Sequence, residues 1–346
     1  MTAIDVKTEG RPTREVLAWS RAAVEPTLHA AVDTLPALMR RIAGYHFGWW
    51  NQHGQQEQAS GGKAIRPTLV LLSAQAVGGI AAAAVPAAAA VELVHNFSLL
   101  HDDVLDGDLT RRHRPTAWSV FGRNAAILAG DALLTLAVSL LAASGHPTAT
   151  DGIRMLTATV QDLVDGQNAD LTFEQRVQVE LAECLTMVGK KTGSLIACAC
   201  AMGAFFGDGS SDQVQYLRGF GQHLGLAFQY VDDLLGIWGD PAVTGKPVYS
   251  DLRSRKKSLP VMAALTSETT AGHELAELYQ RERPLSDTDL VHAADLIDIA
   301  GGRAWSQTQV DDLLAQAMRK LESANPTPHA AQELSALAQL ATHRDN

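Results

Sequence analysis

The sequence predicts an all-α protein built around a large apolar core. From Arg14 onward apolar residues recur at helical spacing, runs of strict apolar–polar alternation are scarce, and Gly, Pro or short polar stretches divide the pattern into helix-sized segments. With 346 residues, 46% of them hydrophobic, the chain is long enough to bury a sizeable interior.

Taken in order, the spacing predicts helices over 13–47, 65–77, 86–106, 123–143, 152–169, 177–207, 212–238 and 258–268, with further helices behind them. Loops are expected at 54–62, 144–147, 207–211, 239–247 and 281–286, where Gly, Pro, Ser and charged residues collect. None of these is a long low-complexity linker, so a single domain over 14–342 is expected, with 1–13 and 343–346 loose.

A net charge of −10 and a pI near 5.6 argue against a nucleic-acid partner, which would need clustered Lys and Arg in bulk. The cysteines, Cys184, Cys198 and Cys200, form no C-x-x-C pair and sit in apolar surroundings, as reduced and buried thiols would. The first 25 residues hold no continuous apolar stretch, so no secretory leader is expected. The longest mainly apolar runs, 132–143 and 195–206, fall short of the roughly 20 residues of a spanning helix. No transmembrane segment and a cytoplasmic location are therefore expected.

Two segments share one theme. LVHNFSLLHDDVLD (93–106) and LGLAFQYVDDLLG (224–236) are apolar helical stretches that run into paired aspartates, and two such helix ends could face each other. Asp102 and Asp106 lie four residues apart, hence on one helical face, with Asp103 beside them. Two full charges about 6 Å apart at an effective dielectric near 20 repel by about 3 kcal/mol, so such a cluster calls for protons or cations. Acidic residues at a helix C-terminus also oppose the helix dipole. An isolated cluster could be a solvated helix end, but Asp232 and Asp233, with Asp240 beyond, repeat the arrangement. All-oxygen ligands favour magnesium or manganese over zinc. His101 and His113 have no zinc-like neighbours, and ordinary polar roles are expected for them. YHFGWW (45–50) is expected to serve helix packing or a dimer contact.

Cations are placed to complement the acids. Lys63 and Arg66 stand in GGKAIRP at an expected helix start, where free backbone N–H groups also favour phosphate. Arg111 and Arg112 follow the first cluster, Lys190 and Lys191 stand in GKKTGSL, and Lys246, Lys256 and Lys257 follow the second cluster. Singly, each reads as a solvated surface residue. Neither GKKTGSL nor GDPAVTGKP fits a phosphate-binding P-loop, and no G-x-S-x-G, H-E-x-x-H or dinucleotide fingerprint is present.

These motifs together resemble the trans-isoprenyl diphosphate synthases, the polyprenyl synthetase family, and are most similar to actinobacterial short-chain members of the geranylgeranyl type. GGKAIRP resembles the family's G-G-K-R-x-R-P, LLHDDVLDGDLTRRHRPT its first aspartate-rich motif, and GKKTGSL its K-T-G element. LGLAFQYVDDLLGIWGD with TGKP and SDLRSRKKSLP resembles the second aspartate motif. The likeness runs in order from about Gly44 to Gly302.

The resemblance implies an all-α bundle around a deep central cavity, usually a homodimer, that joins isopentenyl diphosphate to an allylic diphosphate. It implies three magnesium ions held by Asp102, Asp106 and Asp232, with Asp103 and Asp233 in support. Arg111, Lys191, Lys246 and Lys256 would surround the allylic diphosphate. Lys63, Arg66, His95 and Arg112 would hold isopentenyl diphosphate, and Thr192 and Gln229 would flank the reacting carbons. Phe97, five residues before the first aspartate, and the small Ser98 beside it look like the chain-length floor of the geranylgeranyl (C20) class, with a farnesyl (C15) product as the alternative. Ala64 and Gly236 depart from the family pattern, standing where an arginine and the third aspartate of the second motif are usual. A terpene cyclase would not need the Lys63, Arg66, His95 and Arg112 set. A non-catalytic partner subunit is the reading that Gly236 would suggest.

Overall fold

The chain is described by a computed structural model over residues 10–57, 62–176, 178–241, 247–281 and 283–343. Helices dominate, as the apolar spacing predicts. They are α1 (Thr13–Asp33), α2 (Ala37–Phe47), α3 (Ile65–Ala76), α4 (Val85–Leu105), α5 (Ala117–Phe121), α6 (Arg123–Ala143), α7 (Ala149–Gln175), α8 (Leu181–Val188), α9 (Ser194–Phe206) and α10 (Ser211–Trp238). After these come α11 (Ser250–Arg253), α12 (Leu259–Leu265), α13 (Thr270–Tyr279), α14 (Asp287–Ile299), α15 (Gly302–Ser323) and α16 (Pro328–Thr342). Among the described residues, paired strand is limited to β1 (Thr110–Arg111) against β2 (Arg114–Pro115), with one isolated bridge between Trp50 and Gln56.

Several boundaries differ from the sequence reading for identifiable reasons. The helix expected over 13–47 is two helices, because Pro36 lacks an N–H and disfavours helical backbone at the residue before it, and it serves as the N-cap of α2. The helix expected over 177–207 is α8, a π-helical turn at Gly189–Gly193 and α9. The β1–β2 hairpin went unseen because two-residue strands carry no alternation to detect. Gly10 and Arg11, inside the stretch expected to be loose, are fastened to Gln332 and Glu333, Arg11 through two side-chain bonds of 2.7 and 2.8 Å.

The described residues group into two compact units. One takes in the described residues within Met1–Ala158, Cys198–Arg218 and Lys320–Leu337, and the other those within Thr159–Ala197, Gly219–Arg319 and Ala338–Asn346. In the first, α4 packs most extensively on α6 and also on α3 and α1. Ala87–Ala90, Leu93, Val94 and Leu100 are buried, as are the polar Glu92, Asn96 and Ser98, so α4 is enclosed on nearly every side until its last turn. Gly203 lets α9 ride directly on α3, since a Cβ there would lie 2.1 Å from the Val70 carbonyl oxygen. In the second unit, Ile237, Leu252, Val261, Leu275 and Ile297 belong to one apolar cluster, and Phe173, Met187, Tyr230, Leu259 and Val310 to another.

Two helical stretches, Ala81–Leu105 and Arg123–Ala143, reach the length and composition of a membrane span, whereas the sequence reading counted only shorter, mainly apolar runs. The first is mostly buried, as a core helix is, whereas α6 leaves much of its apolar surface uncovered, with Leu128 57% exposed.

Candidate active site

In the first unit the site grows from the end of α4. Asp102 and Asp103 occupy its last turn and Asp106 is its C-cap, with the Asp106 N–H bonded to the Asp102 carbonyl at 2.8 Å. The three carboxylates differ in environment: Asp106 is exposed, Asp102 half-buried, and Asp103 only 1% exposed. Asp103 accepts from Arg111 Nε at 2.7 Å. Burial pushes its carboxyl up to about 6, against the downward pull of the Arg111 guanidinium. Asp103 is thus committed to holding Arg111 in place, and Asp102 and Asp106 are the more solvated pair.

The hairpin that carries the arginines is tied to the same turn. The Asp108 carbonyl accepts from Thr116 Oγ1 and Trp118 Nε1, both at 2.8 Å. Its two central residues, Arg112 and His113, have φ of 51° and 62°, the conformation that a two-residue turn of right-handed twist demands. Neither is glycine, so the turn stores about 1–3 kcal/mol at each position, as functional loops do. Gly62 presents a bare Cα to Arg112, where a Cβ would sit 2.6 Å from a guanidinium nitrogen, and this brings the segment leading to Lys63 onto that arginine. Ala64 has φ 52° and caps α3 at its N-terminus.

Arg66 Nη1 stands 3.2 Å from His95 Nε2. Burial, then the charges of Arg66, Arg112 and Arg111, holds the His95 ring well below its ordinary value. His95 is therefore neutral, its Nε2 accepts from Arg66, and its proton resides on Nδ1. The same causes press His46 down to about 3: burial first, then Arg112 and Arg111. Tyr45, His46, Asp103, Arg111, Arg112 and Arg114 line a cleft of about 20 Å³, room for about one water.

Arg114 is a residue the sequence reading missed. It lies over the Tyr45 ring at 4.5 Å and donates to the Tyr45 and Trp50 carbonyls, 3.3 Å each, and to Glu57 at 3.0 Å. The YHFGWW segment thereby anchors the arginine hairpin. Phe97 is 6% exposed, edge-on to His101 with ring centroids 4.8 Å apart, and the Ser98 hydroxyl donates to the His95 carbonyl at 2.8 Å. His101 itself lies 2.9 Å from the Ile127 carbonyl oxygen, an ordinary polar contact.

In the second unit, two interior helix glycines draw three backbones together. A Cβ on Gly166 of α7 would lie 2.4 Å from the Lys191 backbone nitrogen, and one on Gly225 of α10 would lie 2.7 Å from the Gly193 Cα. The π turn at 189–193, a rare form that concentrates at functional sites, is the element held in this way. Its Lys190 pairs with Asp165 and its Lys191 with Asp170, both at 2.5 Å.

From that turn a polar relay runs to the aspartates. Thr192 Oγ1 donates to Gln229 Oε1 at 2.7 Å, and Gln229 Nε2 donates to Asp233 Oδ1 at 2.9 Å. Asp233, 2% exposed, also accepts the Leu259 N–H at the start of α12 at 2.9 Å and stands 3.4 Å from Lys256 Nζ. Burial opposes the Lys256 charge, but Asp233, Asp251 and Asp170 outweigh it and hold the amine above the ordinary lysine range. Asp233 therefore parallels Asp103 as the buried, committed member, and Asp232 beside it is half-buried. Lys246 lies outside the described residues.

Asp165, Asp170 and Asp251 are further carboxylates that the sequence reading passed over. Acids on a helix are ordinary, and the usable signal was Gly166, a glycine inside a helical pattern between Asp165 and Asp170.

Among the described residues no group of three or more His, Cys, Asp or Glu side chains gathers to hold a metal ion alone. The Asp102/Asp106 pair at the end of α4 offers hard oxygen donors of the kind magnesium takes, an ion that keeps waters and shares its coordination with substrate phosphates. The residues present suit an ion whose shell is completed by a ligand.

The chain is similar to known proteins. Residues 48–297 match the polyprenyl synthetase family model. The chain is 44% identical over 333 residues to the geranylgeranyl diphosphate synthase of Mycobacterium tuberculosis, covering 96% of this chain and 94% of the relative. It is 42% identical over 331 residues to the (2E,6E)-farnesyl diphosphate synthase of the same species, covering 95% and 92%. The crystal structure of a polyprenyl synthetase from Streptomyces coelicolor A3(2) superposes with a TM-score of 0.91 at 44% identity, covering 95% of this chain and 99% of that one. With a helical fold and both aspartate motifs in place on it, the chain belongs to the polyprenyl synthetase family.

Proposed function

We propose that the chain condenses isopentenyl diphosphate head to tail with an allylic diphosphate in a magnesium-dependent reaction, giving geranylgeranyl diphosphate as its main product. The observation that carries this reading is the composite repeated in both units: an aspartate pair with one member buried and committed, set beside cations held in fixed positions. Asp102, Asp106 and Asp232 are the proposed magnesium carboxylates, for three ions with substrate present. Lys63, Arg66, His95 and Arg112 would receive isopentenyl diphosphate. Arg111, Lys191 and Lys256, with Lys246, would receive the allylic diphosphate.

Magnesium, when bound, would neutralise the diphosphate and make it a better leaving group. The protein's own part is electrostatic and positional. Arg66, Arg111 and Arg112 crowd a neutral His95, so a bound anion relieves their mutual repulsion and gains preorganised donors. Thr192 and Gln229 are oriented through Asp233, and their uncharged oxygen dipoles would stabilise a developing allylic cation held beside them. The proton lost after carbon–carbon bond formation would pass to the released diphosphate.

Support for a C20 product comes from the buried ring of Phe97 one residue before the small Ser98, in the helix that ends in Asp102. Relatives of nearly equal identity carry geranylgeranyl and farnesyl names, so C15 is the alternative. A homodimer would cover the apolar flank of α6, where Ile127 and Leu128 are exposed. The buried free thiols of Cys184, Cys198 and Cys200 suit a cytoplasmic location.

The test is incubation of purified protein with magnesium, isopentenyl diphosphate and, separately, dimethylallyl, geranyl or farnesyl diphosphate, followed by chromatography of the dephosphorylated alcohols. Geranylgeraniol is the expected product. Farnesol alone would keep the reaction and overturn the Phe97 floor, and no isopentenyl incorporation by folded protein would overturn the synthase reading.

A further inference from the structure

Arg21 lies on the N-terminal helix α1, which packs on α3 and α4, and its side chain reaches the loop that leads into α3. Its Nη2 donates to the Gly62 carbonyl at 2.6 Å. That carbonyl and the Lys63 N–H belong to one planar peptide unit, so pinning the oxygen orients the backbone of Lys63. Lys63 needs such a tether. It stands between two left-handed residues, Gly62 at φ 90° and Ala64 at φ 52°, and α3 begins only at Ile65, with no side-chain cap. Neither neighbour carries helical geometry back to Lys63. The Cα of the same glycine faces Arg112, whose guanidinium a Cβ at 62 would meet at 2.6 Å, so two arginines distant from each other along the chain hold the Gly62–Lys63 peptide. Arg21 also belongs to the same group of charges as Arg66 and Arg112: burial raises the Glu92 carboxyl beneath them, and Arg66, Asn96, Arg112 and Arg21 oppose it, in that order.

We propose that Arg21 is a positioning residue of the isopentenyl diphosphate site: from α1 it clamps the Gly62–Lys63 peptide against Arg112 and thereby sets the affinity for that diphosphate. The inference deepens the reading of Lys63, Arg66, His95 and Arg112 as the receiving cations, and rests on it. Arg21 is exposed, so its hydrogen bond adds little to the stability of the fold. What it fixes is the placement of Lys63 relative to Arg112, and donors set out of place cost binding while the fold survives. The allylic diphosphate has its own proposed cations, Arg111, Lys191, Lys246 and Lys256, so its binding should be spared.

The experiment compares wild type, Arg21→Ala and Arg21→Lys as full chains. Each is melted without ligand, titrated with isopentenyl diphosphate alone in a calorimeter, and assayed with each substrate varied in turn. Arg21→Ala should weaken isopentenyl diphosphate binding and raise its KM about tenfold, with kcat and the allylic KM within about twofold of wild type. Its melting temperature should stay within about 2 °C. Arg21→Lys keeps the charge and a donor but loses the guanidinium fork, and should recover the larger part of the loss. Isopentenyl diphosphate binding by Arg21→Ala within about twofold of wild type would overturn the inference alone. So would a loss shared equally by both substrates, or a melting temperature lowered by more than about 5 °C, which a merely structural role would produce. A wild type that binds no isopentenyl diphosphate would overturn the site reading beneath it and the inference with it.

Discussion

Replacing Asp233 by Asn separates the roles of the paired aspartates. The carboxylate accepts from Leu259 N–H on one oxygen and from Gln229 Nε2 on the other, with Lys256 beside it. A carboxamide keeps one acceptor and turns the other into a donor, so either the Leu259 N–H or the Gln229 amide then faces an N–H₂. One buried donor left unmet costs about 1–3 kcal/mol. The Lys256 side chain is 37% exposed, so its share is screened to about 1 kcal/mol or less. The sum is about 3 kcal/mol, and at roughly 2 °C per kcal/mol the melting temperature should fall by ~6 °C. Asp232→Asn, one residue away but half-buried, should change stability by less than about 1 kcal/mol while lowering kcat/KM by about 100-fold or more. The assay is thermal unfolding of both variants without ligand, paired with steady-state kinetics. Two variants that melt together within about 1 °C of wild type would refute the assignment of Asp233 to holding the α10–α12 junction.

Other consequences are as direct. Gly166→Ala would force a methyl to 2.4 Å from the Lys191 backbone nitrogen, which cannot swing away, so it should cost about 1–3 kcal/mol and depress activity through Lys191 and Thr192, read by melting and kinetics. His46 titrates near 3 when folded and near 6.5 when unfolded, so the unfolded chain takes up the proton first. Stability should therefore fall as pH drops below about 6.5, by about 1.4 kcal/mol per unit from this ring, and His46→Gln should flatten that slope in denaturant titrations between pH 6 and about 4. Phe97→Ala should lengthen the product, and an unchanged alcohol profile would remove Phe97 from the role of floor.

The helices were legible because burying an apolar face imposes a period that survives in one dimension: α6 begins and ends where the spacing places it, and α3 and α10 differ from it by one residue at one end. The aspartate pairs were legible because i, i+4 geometry is local. What failed to show was whatever depends on proline or on pairs distant in sequence. Pro36 divides the first helix, and the strands at Arg111 and Arg114 are too short to carry a pattern.

The sequence by itself determined the helical class, the two acidic helix ends and the family, since each rests on local spacing or ordered motifs. Only the tertiary structure decided which aspartate of each pair is committed, Asp103 to Arg111 and Asp233 to Leu259 and Gln229. It alone placed Asp170 on Lys191, Arg114 on Tyr45 and Asp251 over Gly236. The physical reason is that a carboxylate's role follows from burial and partners, and those come from backbones brought together at glycines such as Gly166 and Gly225, far apart from their partners along the chain.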